Sequence, residues 1–282
     1  FFRNRIIFPI HNIQGRICAF AGRVFQESSA KQAKYLNITN TPVFNKSHQL
    51  YGLFFAHESI RKLDFSIITE GYTDVIALHS AEVYNAVAAC GTALTPDHIK
   101  LLCRYSKNVV LFYDGDPAGQ KAAVRNARLC LENGLSPFIV ELPSSQDPDS
   151  FIRENPKTNM LDFIKRNRMA FPLWQSEKLF TGTQDDPVLR NEATREVASI
   201  LALYKEESLS QYFISAICKK FKIAQSIISD KVTEFAIAAR TIPVVTGEKL
   251  PAHVNPSDYQ KWGFYEDGNE YFFSTKDGVV RY

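Results

Sequence analysis

The spacing of hydrophobic and polar residues changes several times along the 282-residue chain. In the first stretch, short apolar runs separated by turn residues predict a β-hairpin, with residues 6–10 and 16–20 as its strands. Residues 34–45 are polar and predict a loop, whereas residues 50–61 predict a helix. The chain therefore opens with a small unit that mixes strands and a helix.

The next stretch alternates short buried strands with helical segments. Apolar runs predict strands over residues 65–69, 83–89, 109–113 and 137–142. Helices begin at Thr95-Pro96 and Asp116-Pro117, where a capping side chain precedes a proline at the first helical position. Strands and helices that alternate in this way predict a parallel α/β sheet.

The remainder of the chain changes character twice. Apolar residues spaced three and four apart in residues 190–203 and 209–221 predict a helical bundle. A proline-containing linker follows over residues 241–256, and the aromatic residues 259–282 contain the turn pairs Asp267-Gly268 and Asp277-Gly278, which indicate β-hairpins.

The predicted fold class is therefore α/β + α, with a short β-hairpin tail. Four units follow one another: a mixed α+β N-terminal subdomain (residues 1–62), a parallel α/β domain (63–149), a helical subdomain (150–240), and a linker with the start of a β-rich region (241–282). Because the chain begins at Phe1 rather than at methionine, we expect the N-terminal subdomain to be incomplete at its start.

Composition and charge narrow the functional classes. Residues 1–62 carry nine basic and two acidic side chains, a net of +7, whereas the whole chain carries only +3. Such a basic region predicts a polyanionic partner. The five cysteines are dispersed without a C-x-x-C pair, which argues against a disulfide framework or a zinc site. No apolar run approaches the ~20 residues that span a bilayer, so we expect a cytoplasmic protein without a membrane partner.

Acidic residues follow three of the predicted strands. Glu70 follows the first strand, Asp114 and Asp116 follow the third, and Asp147 and Asp149 follow the fourth. The carboxyl ends of parallel strands meet at one edge of a sheet, so these carboxylates would repel one another unless cations lay among them. Oxygen ligands alone favour Mg²⁺ or Mn²⁺. The alternative is that each acid only caps the helix after it, but capping does not account for Glu70 or for the doubled Asp-x-Asp pattern.

Three motifs in this region resemble the TOPRIM domain, which is shared by bacterial-type primases, type IA and II topoisomerases and some nucleases. They are Glu70-Gly71-Tyr72-Thr73-Asp74, Gly91-Thr92-Ala93-Leu94-Thr95 and Tyr113-Asp114-Gly115-Asp116-Pro117-Ala118-Gly119. The flanking segments, among them Lys34-Tyr35-Leu36-Asn37, Gln49-Leu50-Tyr51-Gly52 and Asp147-Pro148-Asp149, resemble the RNA polymerase core of DnaG-type primases over roughly residues 1–235. The resemblance also allows a phage or mobile-element primase as the source of such a chain.

The resemblance implies DNA-directed synthesis of short RNA primers from ribonucleoside triphosphates during DNA replication. It implies a single-stranded DNA template, an RNA primer, two or more Mg²⁺ or Mn²⁺ ions and, for the full-length protein, a replicative helicase. The residues that match the family's catalytic metal ligands are Glu70, Asp114 and Asp116, and those that match the acids completing the cluster are Asp74, Asp147 and Asp149. The residues in the family's nucleotide- and DNA-binding segment are Arg3, Arg5, Arg23, Lys34, Tyr35, Asn37 and Lys46.

The sequence differs from the family pattern at two positions, and three other classes of protein were considered. Ala33 stands where the family usually has proline, and His48 stands where it has a basic residue, which weakens one expected phosphate contact. We recognise neither the family's zinc-binding domain nor its helicase-binding domain. A topoisomerase would need a catalytic tyrosine from another domain, a TOPRIM nuclease would lack the basic N-terminal segment, and a non-enzymatic DNA-binding module would not need clustered acids.

Overall fold

The N-terminal unit is a small antiparallel sheet. The computed structural model describes residues 2–25, 33–240, 264–267, 270–275 and 278–281. The predicted hairpin is confirmed as β1 (Arg5–His11) paired with β2 (Ile17–Val24).

A third strand, β3 (Tyr35–Asn37), pairs with the far edge of β2, so the loop prediction was wrong for these three residues. Polar neighbours conceal this strand in the sequence, because its extended conformation comes from pairing with β2 rather than from its own composition.

The central sheet has six strands in the order β4-β6-β5-β7-β8-β9. The strands are β4 (Leu50–Tyr51), β5 (Ser66–Thr69), β6 (Ala86–Ala89), β7 (Asn108–Leu111), β8 (Ser136–Ile139) and β9 (Met169–Ala170). The four inner strands run parallel, as predicted, whereas β4 and β9 close the two edges in the antiparallel direction. The edge strands come from the segments that precede and follow the α/β region in the sequence.

Helices cover both faces of this sheet. The first face packs against α1 (Leu53–Leu63), α3 (Pro96–Leu102), α4 (Pro117–Glu132) and α7 (Phe171–Phe180). The second face packs against α2 (Tyr72–Ser80), α5 (Pro148–Glu154) and α6 (Met160–Asn167). Within β5, Ile68 enters the first core and Ile67 the second, so the strand is buried on both sides.

The helical region is confirmed as α7 together with α8 (Pro187–Leu201), α9 (Glu207–Phe221) and α10 (Gln225–Arg240). The first half of α7 contributes Trp174 to the sheet core, and its end contributes Phe180 to the bundle core, so α7 joins the two. In the part of the chain that the structure describes, no helix is both long and apolar enough to cross a membrane.

The β-hairpin tail is also confirmed. β10 (Phe264–Asp267), β11 (Glu270–Thr275) and β12 (Gly278–Arg281) form a separate three-stranded antiparallel sheet. The two connections span residues 268–269 and 276–277, so the predicted turn residues Gly268 and Asp277 lie outside the described residues, as does the linker over residues 241–256.

The turn after β7 fits beneath the segment that follows β8. The Gly115 N–H donates to the Gln146 carbonyl at 2.9 Å, and a Cβ on Gly115 would lie 2.1 Å from the Pro143 carbonyl oxygen. Gly119, in the first turn of α4, lies equally close to Asp114, since its Cβ would be 2.2 Å from the Asp114 carbonyl oxygen. These two glycines allow the backbone around Asp114 to pack tightly.

We predict that Gly115→Ala destabilises the fold, because the new methyl group would meet backbone carbonyls that have no room to move. The expected cost is on the order of 1–3 kcal/mol, as for overpacking in a core. The change in unfolding free energy from urea titration would measure it. Gly71→Ala is the matched control, since the nearest atom to its Cβ would be a side-chain carboxylate oxygen of Asp74 at 3.2 Å rather than backbone. Equal costs for the two variants would contradict this account of Gly115.

Candidate metal centre and nucleic-acid interface

Six acidic side chains meet at the carboxyl edge of the central sheet. They follow β5, lie in the first turn of α2, precede α4 and begin α5. We call this set the acidic rim; it comprises Glu70, Asp74, Asp114, Asp116, Asp147 and Asp149. The charges of Asp114, Asp147 and Asp149 all act on Asp74, and those of Asp114 and Asp116 act on Glu70. The structure thus brings together the acids that the sequence placed at separate strand ends.

Three members of the acidic rim also cap helices. Asp74 accepts the Gly71 N–H at 2.9 Å, Asp116 accepts the Gly119 N–H at 2.7 Å, and Asp147 accepts the Ser150 N–H at 2.7 Å. Capping uses one oxygen of each carboxylate and leaves the second for a cation. The positive ends of α2 and α4 also offset part of the repulsion within the rim.

Burial and mutual repulsion hold protons on part of the acidic rim. Burial, and to a smaller extent the charges of the neighbouring carboxylates, raise the pKa of Asp74 to about 7 against the lowering effect of the Gly71 N–H. Glu70 is exposed as a residue, yet partial desolvation of its carboxyl group and the charge of Asp114 raise its pKa. Burial likewise raises the pKa of Asp114, with repulsion from Asp147 adding to the effect.

Asp147 behaves in the opposite way. Burial alone would raise its pKa, but hydrogen bonds from Ser150 and the charge of Arg153 lower it overall. Asp149 forms an ion pair with the same arginine, Asp149 Oδ2 to Arg153 Nη2 at 3.2 Å. Asp147 therefore holds a proton less tightly than Asp74 does when no cation is bound.

The chemistry of the acidic rim suits a hard divalent cation. Across residues 2–25 and 33–240, no three His, Cys, Asp or Glu side chains lie close enough to enclose an ion by themselves. Mg²⁺ commonly binds through one or two carboxylates and completes its shell with water and substrate phosphates. An open set of carboxylate oxygens, whose protons a cation would displace, fits Mg²⁺ or Mn²⁺ on that basis.

Basic and aromatic residues of the N-terminal sheet lie beside this rim. The positive charge of Lys34 has a small lowering effect on the pKa of Asp114, which burial raises overall. Arg23 stacks over the Tyr35 ring at 5.6 Å, and the Tyr35 hydroxyl lies 3.5 Å from Thr73 Oγ1 in α2. Residues from both ends of β3 therefore reach the helix that carries Asp74.

Asn37 connects the same two elements. The Tyr72 hydroxyl donates to Asn37 Oδ1 at 2.8 Å. Gly91, in the second TOPRIM-like motif, lies against the Asn37 side chain, because its Cβ would fall 2.0 Å from Asn37 Nδ2. Asn37 thus holds the N-terminal sheet against the loop after β6.

The other predicted nucleic-acid residues are placed differently. The Arg5 guanidinium donates to the carbonyls of Gly22 at 3.1 Å, Ala33 at 3.0 Å and Lys34 at 3.4 Å, so it is bound to backbone and positions Lys34. Arg3 is exposed before β1, and no contact in the described part of the chain ties it to the rim. Lys46 lies in a short 3-10 turn, Lys46–His48.

Two residues that sequence reasoning missed hold this turn in place. His98 is fully buried; its Nε2 donates to the Lys46 carbonyl at 2.7 Å, and its Nδ1 accepts the Thr95 N–H at 3.2 Å. The Thr95 hydroxyl donates to the Ser47 carbonyl at 2.8 Å. The sequence identified Thr95-Pro96 as the start of a helix. Nothing in that local pattern indicates that the same residues also bind the distant turn Lys46–His48. His48 forms an ion pair with Asp97 at 2.8 Å.

A parallel sheet with acids after β5 and β7 is the arrangement expected of a TOPRIM domain. Comparison with known families agrees: residues 67–152 match the family described as Toprim-like, and residues 1–57 match the DNA primase catalytic core, N-terminal domain. The region of the acidic rim and the N-terminal sheet therefore each match a known protein family.

Individual relatives give the family. The DNA primase of Staphylococcus aureus is 33% identical over 231 residues, which cover 82% of this chain and 38% of that protein. The crystal structure of a DNA primase domain from Pseudomonas aeruginosa matches with a TM-score of 0.70 and 32% identity, covering 82% of this chain and 73% of that one. A DnaG primase catalytic domain bound to single-stranded DNA matches with a TM-score of 0.68 and 32% identity, covering 80% of this chain and 71% of that one.

The chain belongs to the DnaG-type DNA primase family. Its aligned region spans 38% of the length of the Staphylococcus aureus relative, so it corresponds to one part of such a protein. The TOPRIM primase family is metal-dependent, which agrees with the chemistry of the acidic rim.

We predict that Asp74 makes the stability of the metal-free protein fall as pH rises from about 4 to 8. Its pKa is raised from 3.8 to about 7, so over this range the folded state holds a proton that the unfolded state has released. At ~1.4 kcal/mol per pKa unit the effect amounts to a few kcal/mol at most. Asp74→Asn should remove it and gain stability relative to wild type toward pH 8.

Melting temperatures in EDTA across this pH range would test the prediction. Asp162→Asn, which alters an exposed carboxylate on α6, is the control and should keep the wild-type slope. Mg²⁺ should raise the melting temperature of the wild type more at pH 8 than at pH 5, because bound carboxylates must be ionised. A wild-type pH slope in Asp74→Asn would contradict the prediction.

Proposed function

We propose that this chain is the catalytic core of a primase that joins ribonucleotides into short RNA primers on a single-stranded DNA template. The observation that carries the proposal is the hydrogen bond from the Tyr72 hydroxyl in α2 to Asn37 Oδ1 in β3 at 2.8 Å, since it sets a basic sheet against a carboxylate rim. Nucleotidyl transfer needs both surfaces, one for phosphates and one for cations. The relative solved with single-stranded DNA bound supports the choice of template.

The acidic rim is the proposed metal centre. Glu70, Asp114 and Asp116 are the principal ligands in this proposal, with Asp74, Asp147 and Asp149 completing the cluster around two or more Mg²⁺ or Mn²⁺ ions. Such ions, when bound, lower the pKa of an attacking primer 3′-hydroxyl and neutralise charge on the pyrophosphate that leaves.

The side chains of this protein supply orientation and proton storage around that centre. Asp74, held by the Gly71 N–H, fixes the turn that presents Glu70. Because the pKa of Asp74 is raised to about 7, it can keep or release a proton near neutral pH as the charge around it changes. Asp116 holds the start of α4 through Gly119, which keeps Asp114 and Asp116 at a fixed separation.

The basic N-terminal segment is the proposed binding surface for triphosphates and template. Lys34 and Arg23 are the side chains best placed for phosphate, with Tyr35 as the stacking surface beneath Arg23. Arg3 and Lys46 extend this surface in the proposal. Arg5 and Asn37 act by position, since Arg5 binds the backbone at Lys34 and Asn37 binds Tyr72.

The basic N-terminal sheet beside the acidic rim favours a primase over a nuclease or a topoisomerase. A TOPRIM nuclease or topoisomerase fragment would share the acidic rim, but residues 1–57 match the primase N-terminal domain and carry the basic segment. We also propose the division into units at residues 1–62, 63–149, 150–240 and 241–282, action in the bacterial cytoplasm, and a replicative helicase as partner of the full-length protein.

We predict that Asp114→Asn abolishes primer synthesis while leaving the fold intact. Removing a ligand should forfeit several kcal/mol of transition-state stabilisation, which is about 100- to 1,000-fold in rate at ~1.4 kcal/mol per factor of ten. Incorporation of labelled ribonucleotides on single-stranded DNA with Mg²⁺ or Mn²⁺ would measure it, with Asp162→Asn as the control for loss of a carboxylate. Undiminished incorporation by Asp114→Asn would rule out the proposed centre.

We predict that Lys34→Gln weakens binding of single-stranded DNA or nucleotide and flattens its dependence on salt. Loss of one phosphate contact should lower the slope of log K against log salt by ~0.7 for a single strand. Fluorescence anisotropy at several salt concentrations would measure the slope. Lys165→Gln, which removes the same charge from the exposed end of α6, should leave it unchanged. If both variants kept the wild-type slope, Lys34 would have no such role.

A further inference from the structure

A second basic surface lies on the other side of the acidic rim, in a groove between α4 and α7. We call it the α4–α7 groove. Its α4 side is lined by Lys121, Arg125 and Arg128, and its α7 side by Trp174 and Lys178. The sequence reading did not single out any of these residues, because they fall inside two helices whose polar positions look like ordinary solvated faces.

Within the described residues, two of the four basic side chains form ion pairs and two do not. Arg128 forms an ion pair with Glu196 at 2.6 Å and also donates to Ser199 at 2.8 Å. Lys178 forms an ion pair with Glu141. Among the ion pairs of residues 2–25 and 33–240, none involves Lys121 or Arg125, and both are exposed. The groove therefore presents a net positive field to solvent.

The wall of the groove is preformed. Trp174 is buried, and its indole N–H donates to Glu141 Oε2 at 3.2 Å, which fixes the ring. Lys178 Nζ lies 5.5 Å from the centre of that ring, so the α7 wall has a defined position. A surface with fixed walls loses little conformational entropy when it binds a ligand.

The α4–α7 groove is continuous with the acidic rim. Gln120 and Trp174 line both the groove and the narrow crevice that contains Asp114. A chain of phosphates that passes the rim would enter the groove next.

The length of the groove suits several nucleotides of one strand. From Lys121 to Arg128, α4 advances ~10 Å along its axis at 1.5 Å per residue. Adjacent phosphates of a stacked strand are ~3.4 Å apart along the helix axis, so this distance corresponds to about three of them. Charge, shape and continuity with the rim together favour a nucleic-acid strand as the occupant.

We propose that the α4–α7 groove binds the sugar-phosphate backbone of a nucleic-acid strand where it leaves the acidic rim. The inference rests on the proposed function, because the rim is where the strand would be extended or copied. Template DNA and the new RNA primer share this backbone chemistry. The groove contacts would come from Lys121 and Arg125, with Arg128 contributing through its partly exposed guanidinium.

The test is the double variant Lys121→Gln/Arg125→Gln. Its binding to a labelled single-stranded DNA and to the same DNA with a short RNA primer annealed would be measured by anisotropy, without metal or ribonucleotides. We expect a several-fold loss of affinity and a salt slope lower by ~1.4 on the single strand, from two phosphate contacts at ~0.7 each. Loss on both probes indicates template; loss on the primed probe alone indicates primer.

The matched control is Lys165→Gln/Arg166→Gln, which removes the same charge from the end of α6. Equal losses in the two double variants, or wild-type binding of both probes by the groove variant, would overturn the proposal. If the double variant folds poorly, the single variant Lys121→Gln, at an exposed position, would be measured in the same way. These binding titrations do not depend on catalysis. If the wild type made no primers, the proposed function would be refuted, and the titrations would still show whether the groove binds nucleic acid.

Discussion

Burial of the four parallel strands on both faces is the constraint on which the rest of the structure depends. Residues on opposite faces of one strand, such as Ile67 and Ile68, are both inaccessible to water. Charged groups therefore have no place along the strands and can occur only at their ends. The carboxyl ends of β5 and β7 lie side by side, so Glu70 and Asp114 become neighbours although 44 positions separate them in the chain.

Grouping six acids at one edge creates repulsion that the chain offsets in two ways. Helix N-termini donate N–H groups to Asp116 and Asp147, which places partial positive charge against the carboxylates. Lys34 brings a full positive charge from the N-terminal sheet. Burial of Asp74, with a smaller contribution from repulsion by its acidic neighbours, raises its pKa, so a proton is held where a cation would otherwise balance charge. The rim is thus stable without metal yet poised to exchange protons for it.

Much of this arrangement could be predicted from sequence because it depends on local signals. Apolar runs set the inner strands, and Asp116-Pro117 set the start of α4, as the structure confirms. The edge strands β4 and β9 were missed, since two residues that pair only with a distant partner carry no periodicity. The backbone contacts of Arg5 were missed for a related reason. Its charge suggested that it binds phosphate, but the carbonyl groups to which it donates lie 17 to 29 positions away in the sequence.

One turn of helix sets the distance between the basic sheet and the acidic rim. Tyr72 lies between Gly71 and Asp74 in the first motif, and its ring stacks on Phe8 of β1 at 5.4 Å. Its hydroxyl also donates to Asn37 of β3 at 2.8 Å. The segment that supplies Glu70 and Asp74 therefore also supplies the docking residue for the sheet that carries Lys34. A displacement of the sheet would have to break this contact, so the positions of phosphate-binding and cation-binding groups are mechanically linked.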